Sequence, residues 1–189
     1  MILRNSAFGA SLMFFIALNC YAQSPVPTGS VMISYTLSRL TRIASNQYAI
    51  WIEDEKGSFI RTLFATKFVA KKAGWKIRPQ TVPTWIKAAS VANLPQKEVD
   101  AISSATPRSG SYKIDWDLRD SKGRLVAPGK YRYLVDGNIS WEKKVLWSGT
   151  IAIGNLPQLS QATPIYSPNE SQLSGMLISA VSATYTPGK

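Results

Sequence analysis

The sequence predicts an all-β fold, an antiparallel β-sandwich carrying a short helix-containing insert, and three observations lead there. Several stretches alternate apolar and polar residues with period two, the pattern of strands buried on one face. Glycine and proline punctuate them at short intervals, at Gly57, at Gly123 and at Pro128-Gly129. One segment, residues 67–97, breaks this rhythm, and it is where a helix reads naturally.

The elements follow in order. "SVMISYTLS" (30–38) is rich in β-branched and apolar residues and reads as a strand. "QYAIWIEDEKGSFIRTLFAT" (47–66) reads as a hairpin turning at Asp54, Glu55, Lys56 and Gly57, where Gly57 takes φ > 0 without steric cost. "VPTWIKAAS" (82–90) reads as a short helix with Pro83 suited to its first turn. In "SYKIDWDL" (111–118), Tyr112, Ile114, Trp116 and Leu118 share one face while Lys113, Asp115 and Asp117 share the other. Tyr131, Tyr133 and Val135 alternate again, and so do Val145, Trp147, Ile151 and Ile153. From Asn155 to about Ser174 the chain is rich in Ser, Pro and Gln and reads as a surface loop, before "GMLISAVSATYTP" (175–187) closes the sheet. About seven strands result, with no internal repeat and no heptad run.

The opening "MILRNSAFGASLMFFIALNCYAQS" joins an early cation, Arg4, to an apolar run and a small-residue ending, which reads as a secretory signal peptide over residues 1–22, cleaved near Ala22. Its apolar run is shorter than the ~20 residues a spanning helix needs, and no later segment approaches that length, so the mature chain is expected to carry no transmembrane segment. Residues 23–189 then form one domain. The single cysteine, Cys20, lies in the signal, so packing rather than disulfides must hold the fold. Cys20 also admits a lipoprotein reading, though Leu18 and Asn19 fit the lipidation pattern poorly.

Histidine is absent, which excludes Ser-His-Asp and Cys-His catalysis and the usual zinc, copper and non-haem iron sites. Carboxylate, lysine, tyrosine or hydroxyl chemistry survives, or none. The net charge of +11 is unevenly placed: nine cations and no acid lie between Lys56 and Lys97. The plain meaning of such a segment is a solvated basic face. The sharper one is contact with an anionic partner or surface through Lys71, Lys72, Lys76 and Arg78, with Trp75 or Trp85 as an apolar anchor. A secreted chain rarely meets nucleic acid, so that partner is not expected.

Residues 110–137, "GSYKIDWDLRDSKGRLVAPGKYRYLVDG", carry a pattern in Trp116, Asp117, Asp120, Gly123, Pro128, Gly129 and Tyr131 that resembles the signature of the Ig-like domain in the flagellar hook-capping protein. It has a structural explanation: Asp120 and Ser121 bond nearby amides, Gly123 relieves the turn, and Trp116 and Tyr131 anchor the core from neighbouring strands. A calcium site from Asp115, Asp117 and Asp120 is the competing idea, but the spacing lacks a bidentate Glu and carbonyl ligands, and no metal is expected. Nor does anything near Asp115 and Asp117 suggest a catalytic cleft. With the signal peptide, "AIWIEDEKGSFIRTL", "VPTWIKAA" and "DAISSATP", the mature chain resembles the bacterial periplasmic family labelled domain of unknown function 2271. That resemblance implies an Ig-like sandwich, a periplasmic address, and company with PepSY-type membrane proteins and flavin transferases.

"DAISSAT" (100–106) resembles the Asp-x-x-Ser-Gly-Ala-Thr motif of proteins that carry flavin mononucleotide on a threonine through a phosphoester. The resemblance implies Thr106 as acceptor and Asp100 as part of what the transferase reads, with Ser103 grouped beside them as a cofactor-binding residue of lesser weight. Ser104 stands where the motif has Gly, which matters if the position is left-handed, and Pro107 biases Thr106 toward extended backbone. The plain alternative is a Ser/Thr-rich loop. The leading expectation is a non-enzymatic periplasmic binding or accessory module without cofactor, serving an unidentified envelope protein. A covalent FMN carrier and an anionic-surface binder are the alternatives.

Overall fold

The strand β1 (Gly29–Leu37) alternates as its sequence demands, with Val31, Ile33, Tyr35 and Leu37 buried and the residues between them half-exposed. It lies inside the smaller of two sheets of a computed structural model that describes residues 28–41, 45–170 and 175–188. The expected signal peptide and Cys20 lie outside the described residues. On either side of β1 run β5 (Gly110–Trp116) and β10 (Ile178–Pro187), and β8 (Gln158–Gln161) pairs with the far side of β10. The larger sheet runs in the order β4 (Ser103–Ser104), β3 (Phe59–Thr66), β2 (Gln47–Asp54), β6 (Gly129–Ser140), β7 (Lys143–Ile153) and β9 (Thr163–Ser167). Every pairing is antiparallel except the short one between β3 and β4.

Between the sheets lies the main core, which includes Ile33, Tyr48, Ile50, Trp116, Tyr133 and Val181. A second core lies on the outer face of the larger sheet, where Trp51, Ala65 and Leu134 meet Val82, Trp85 and Val99 from the insert. That insert is α1 (Lys67–Ala70), α2 (Lys72–Ile77), α3 (Pro83–Ala88), a 3-10 turn (Val91–Asn93) and α4 (Gln96–Ile102). The molecule therefore has three layers, and β2, expected only as one arm of a hairpin, is buried on both faces through Tyr48–Ile52. Pro83 opens α3 as the sequence suggests.

Three expectations change. Helical structure is spread over four short helices rather than one. The stretch 155–174 is no plain loop: its described part holds β8 and β9, edge strands of the two sheets joined at Ala162. Gln158, Gln161 and Thr163 are exposed, so the strands show no apolar alternation, and β10 and β7 supply their pairing from far along the chain. Trp116 and Tyr131 do not come from neighbouring strands. They belong to opposite sheets and meet edge to face across the core, ring centroids 5.3 Å apart.

The remainder of that signature builds the crossing between sheets. The Trp116 indole donates to the Arg119 carbonyl at 2.8 Å, and the Tyr131 hydroxyl donates to the Ala127 carbonyl at 2.7 Å. Asp120 Oδ1 accepts the amides of Lys122 and Arg124, each at 2.9 Å, and Gly123 takes φ +77° as the turn requires. Those bonds from Arg124, with its guanidinium, hold the Asp120 carboxyl below the usual range. Pro128 and Gly129 lead into β6.

Candidate functional site

The chain leaves β3 directly into α1, whose Val69 and Ala70 turn inward to the second core. Lys67 and Phe68 are thereby left at the surface, with Lys71 half-exposed beside them. Thr66, at the junction, accepts the Tyr48 amide on Oγ1 at 3.3 Å. Gly74 of α2 packs so tightly on the Phe68 backbone that a Cβ there would overlap the Phe68 carbonyl oxygen. Meanwhile β4 pairs Ser103 with Ala65 and Ser104 with Thr66, and this short parallel contact delivers Ala105 and Thr106 to the start of α1.

The result is a groove of about 440 Å³ lined by Gln47, Lys67, Phe68, Lys71, Gly74, Ala105 and Thr106. Two cations, an aromatic face and a hydroxyl share it, and no acid lines it. Gln47 donates through Nε2 to the Ser45 carbonyl at 3.0 Å and to Thr106 Oγ1 at 3.5 Å, while its buried Oε1 has no hydrogen-bond partner among the described residues. Such a recess suits an anion carrying a flat or apolar part.

Two sets of residues singled out from sequence thus converge, Lys71 from the basic insert and Thr106 from the Ser/Thr segment. Others do not. Asp100 sits on α4, exposed, accepting a bond from Gln96 at 3.0 Å, and does not line the groove. Ser103 is half-buried in β4. Ser104 is in extended backbone, so the exchange of Gly for Ser carries no left-handed strain. Trp85, expected as a surface anchor, is completely buried, and its indole donates to Thr62 Oγ1 at 2.9 Å. Its place in an amphipathic helix beneath the basic surface explains the correction. Trp75 is half-buried, with the Lys76 ammonium 5.7 Å from its ring centroid. Arg78 lies 5.7 Å from the ring of Trp141, on the tip of the β6–β7 hairpin. The Lys72 side chain lies outside what the structure describes.

Asp115 and Asp117 do line a cleft, contrary to expectation, with Arg61, Thr62, Ala101 and Ile102 among its other walls, in about 330 Å³. Asp117 is engaged by Arg61 at 2.9 Å, and Asp120 belongs to its own turn, so the three aspartates do not converge. No group of three or more His, Cys, Asp or Glu side chains able to hold a metal occurs among the described residues. Sequence reasoning passed over Gln47, Lys67, Phe68 and Trp141. Lys67 belonged to the cation run and Trp141 was a lone aromatic in a polar turn, whereas nothing local marks Gln47.

Fold and groove define the class: a three-layered β-sandwich whose helical cover carries a basic, hydroxyl-edged recess. Residues 30–164 match the model of domain of unknown function 2271, described as a predicted periplasmic protein, and the chain belongs to that family. No curated protein and no solved structure matches it. No helix among the described residues is long and apolar enough to cross a membrane.

Proposed function

We propose that the chain is a non-enzymatic binding or accessory module of the periplasm, and that its ligand site is the groove beside Thr106. The convergence of Lys67, Lys71 and Thr106 on one recess carries this reading. The absence of histidine and the engagement of Asp117, Asp120 and Glu53 by arginines are consistent with it. A PepSY-type membrane protein or an envelope redox system is the partner class that the family resemblance implies, and the packing of Trp116 on Tyr131 supports an Ig-like reading of residues 110–137. Titration with free FMN and with inorganic pyrophosphate tests the groove: saturable binding weakened about fivefold or more by Lys67→Gln or Lys71→Gln is expected. Turnover on an esterase, phosphatase and glycosidase panel, lost on a single substitution, would overturn the non-enzymatic part.

A second reading rests on the position of Thr106 itself, half-buried at the groove with its hydroxyl oxygen held by one weak bond from Gln47. In this reading the Thr106 hydroxyl attacks the FMN-side phosphorus of FAD held by a flavin transferase. The phosphoester forms as the P–O bond to AMP breaks, and the hydroxyl proton passes to a base of the transferase. The groove then receives the attached flavin, cations toward its phosphate and Phe68 toward its ring. Protein co-expressed with an active transferase is then yellow and stays fluorescent through denaturing electrophoresis. Thr106→Val abolishes the band while preserving the branched shape and the fold. A colourless product with the mass of the bare chain would leave the noncovalent reading alone.

A further inference from the structure

The surface around Arg78 is apolar where solvent should have made it polar. Ile77 is 72% exposed, Trp141 63% and Phe68 41%; Leu156, Leu159, Ile165 and Met176 are exposed as well, but they lie outside the basic insert and away from its cations in sequence. The three are linked through α2: Phe68 lies against Gly74, three residues before Ile77, and Arg78, the residue that ends α2, lies against the Trp141 ring. Cations run alongside at Lys71, Lys76 and Arg78, and no acid occurs between Lys56 and Lys97. Glu142 beside Trp141 is followed at once by Lys143 and Lys144.

Trp141 adds an independent observation. It sits in the two-residue turn between β6 and β7 with φ +45°, a conformation that Gly or Asn adopts freely and a bulky side chain does not. Folding alone would favour a small residue here, and the ring is not in either core. Its cost is explained if the exposed ring has work outside the fold.

We propose that Ile77 and Trp141, flanked by Phe68 and by Lys71, Lys76 and Arg78, form a docking surface for an anionic phospholipid bilayer. An indole and an aliphatic side chain ringed by cations match the layered chemistry of such a surface, apolar just beneath and negative at the headgroups. The family's periplasmic setting places the protein between two membranes. Phe68 and Lys71 are shared with the groove, whereas Ile77, Lys76, Arg78 and Trp141 lie outside its lining, so variants at those four test the docking apart from the groove ligand.

The test is flotation of protein purified from the periplasm with vesicles of equal parts phosphatidylglycerol and phosphatidylcholine, against vesicles of phosphatidylcholine alone. Binding to the anionic vesicles alone, weakening as salt rises, is expected. Lys76→Gln and Arg78→Gln each lower it about fivefold. Trp141→Asn, which relieves the turn and so keeps the fold, lowers it about tenfold or more. Thr106→Val, which probes the groove without removing a charge, and Lys113→Gln, an exposed cation on β5 of the smaller sheet, leave it unchanged. No binding to anionic vesicles at low salt, or binding unaffected by Trp141→Asn, would overturn the proposal. So would equal binding to both kinds of vesicle.

Discussion

At the scale of single residues, Asp136 shows how the helical cover is tied to the sheet. Its carboxylate is completely buried on β6, and Oδ2 accepts the amides of Thr84 at 3.0 Å and Trp85 at 3.4 Å, at the start of α3. Burial pushes its pKa up to about 6, against the opposing pull of those amides and of Lys144. Between the ordinary value of 3.8 and about 6, the folded state keeps a proton that the unfolded chain has lost, so ionisation opposes folding. Stability is therefore expected to fall as pH rises through that window and to level off above it. Asp136→Asn removes the slope and, at pH 7, gains up to about 3 kcal/mol, as urea denaturation between pH 4 and 7 would measure. Trp85→Ala, by contrast, opens the second core and leaves Thr62 without its donor, for an expected loss of about 3–5 kcal/mol in the same assay.

Among the elements, glycines mark where neighbouring segments of one layer approach most closely. Gly149 lies in β7 directly against the ring of Tyr133, the position a Cβ would occupy. Gly149→Ala must displace a buried tyrosine whose hydroxyl also contacts Ser160 of β8, at 3.0 Å, so the change is felt in both sheets. A loss of about 1–3 kcal/mol is expected in thermal or urea unfolding. Gly74→Ala acts differently. It forces α2 away from the Phe68 carbonyl, and because α2 carries little of the second core, FMN or pyrophosphate affinity should drop more than global stability does.

Over the whole molecule, the two ends of the described chain close the sandwich: β10 pairs along nearly the full length of β1 and is the strand on which β8 is laid. It lies beyond the residues matched by the family model, yet it supplies Ile178, Val181, Ala183 and Tyr185 to the main core. A chain ending at residue 177 is expected to lose its cooperative thermal transition and near-ultraviolet dichroism, because β1 would keep only β5 as a partner.

What the sequence determined by itself is local. Alternation in 111–118 and in 131–135 identified the inward faces of β5 and β6, Pro83 marked the start of α3, Gly57 and Gly123 marked turns, and the absence of histidine removed whole classes of chemistry. Those properties follow from dihedral preference and side-chain period, which act over a few residues. Tertiary structure decided everything that depends on distant pairing. The two-residue match of Ser103 and Ser104 to Ala65 and Thr66 put Thr106 beside Lys67 and Lys71, and so made a groove from segments about forty residues apart in sequence. Packing of the insert on the outer face of the larger sheet buried Trp85 and left Ile77 and Trp141 outside. The exposed edge strands at 158–161 and 163–167 carry no periodic signal, Leu159 and Ile165 included, because their order comes from the backbone of β10 and β7 rather than from burial of their own side chains.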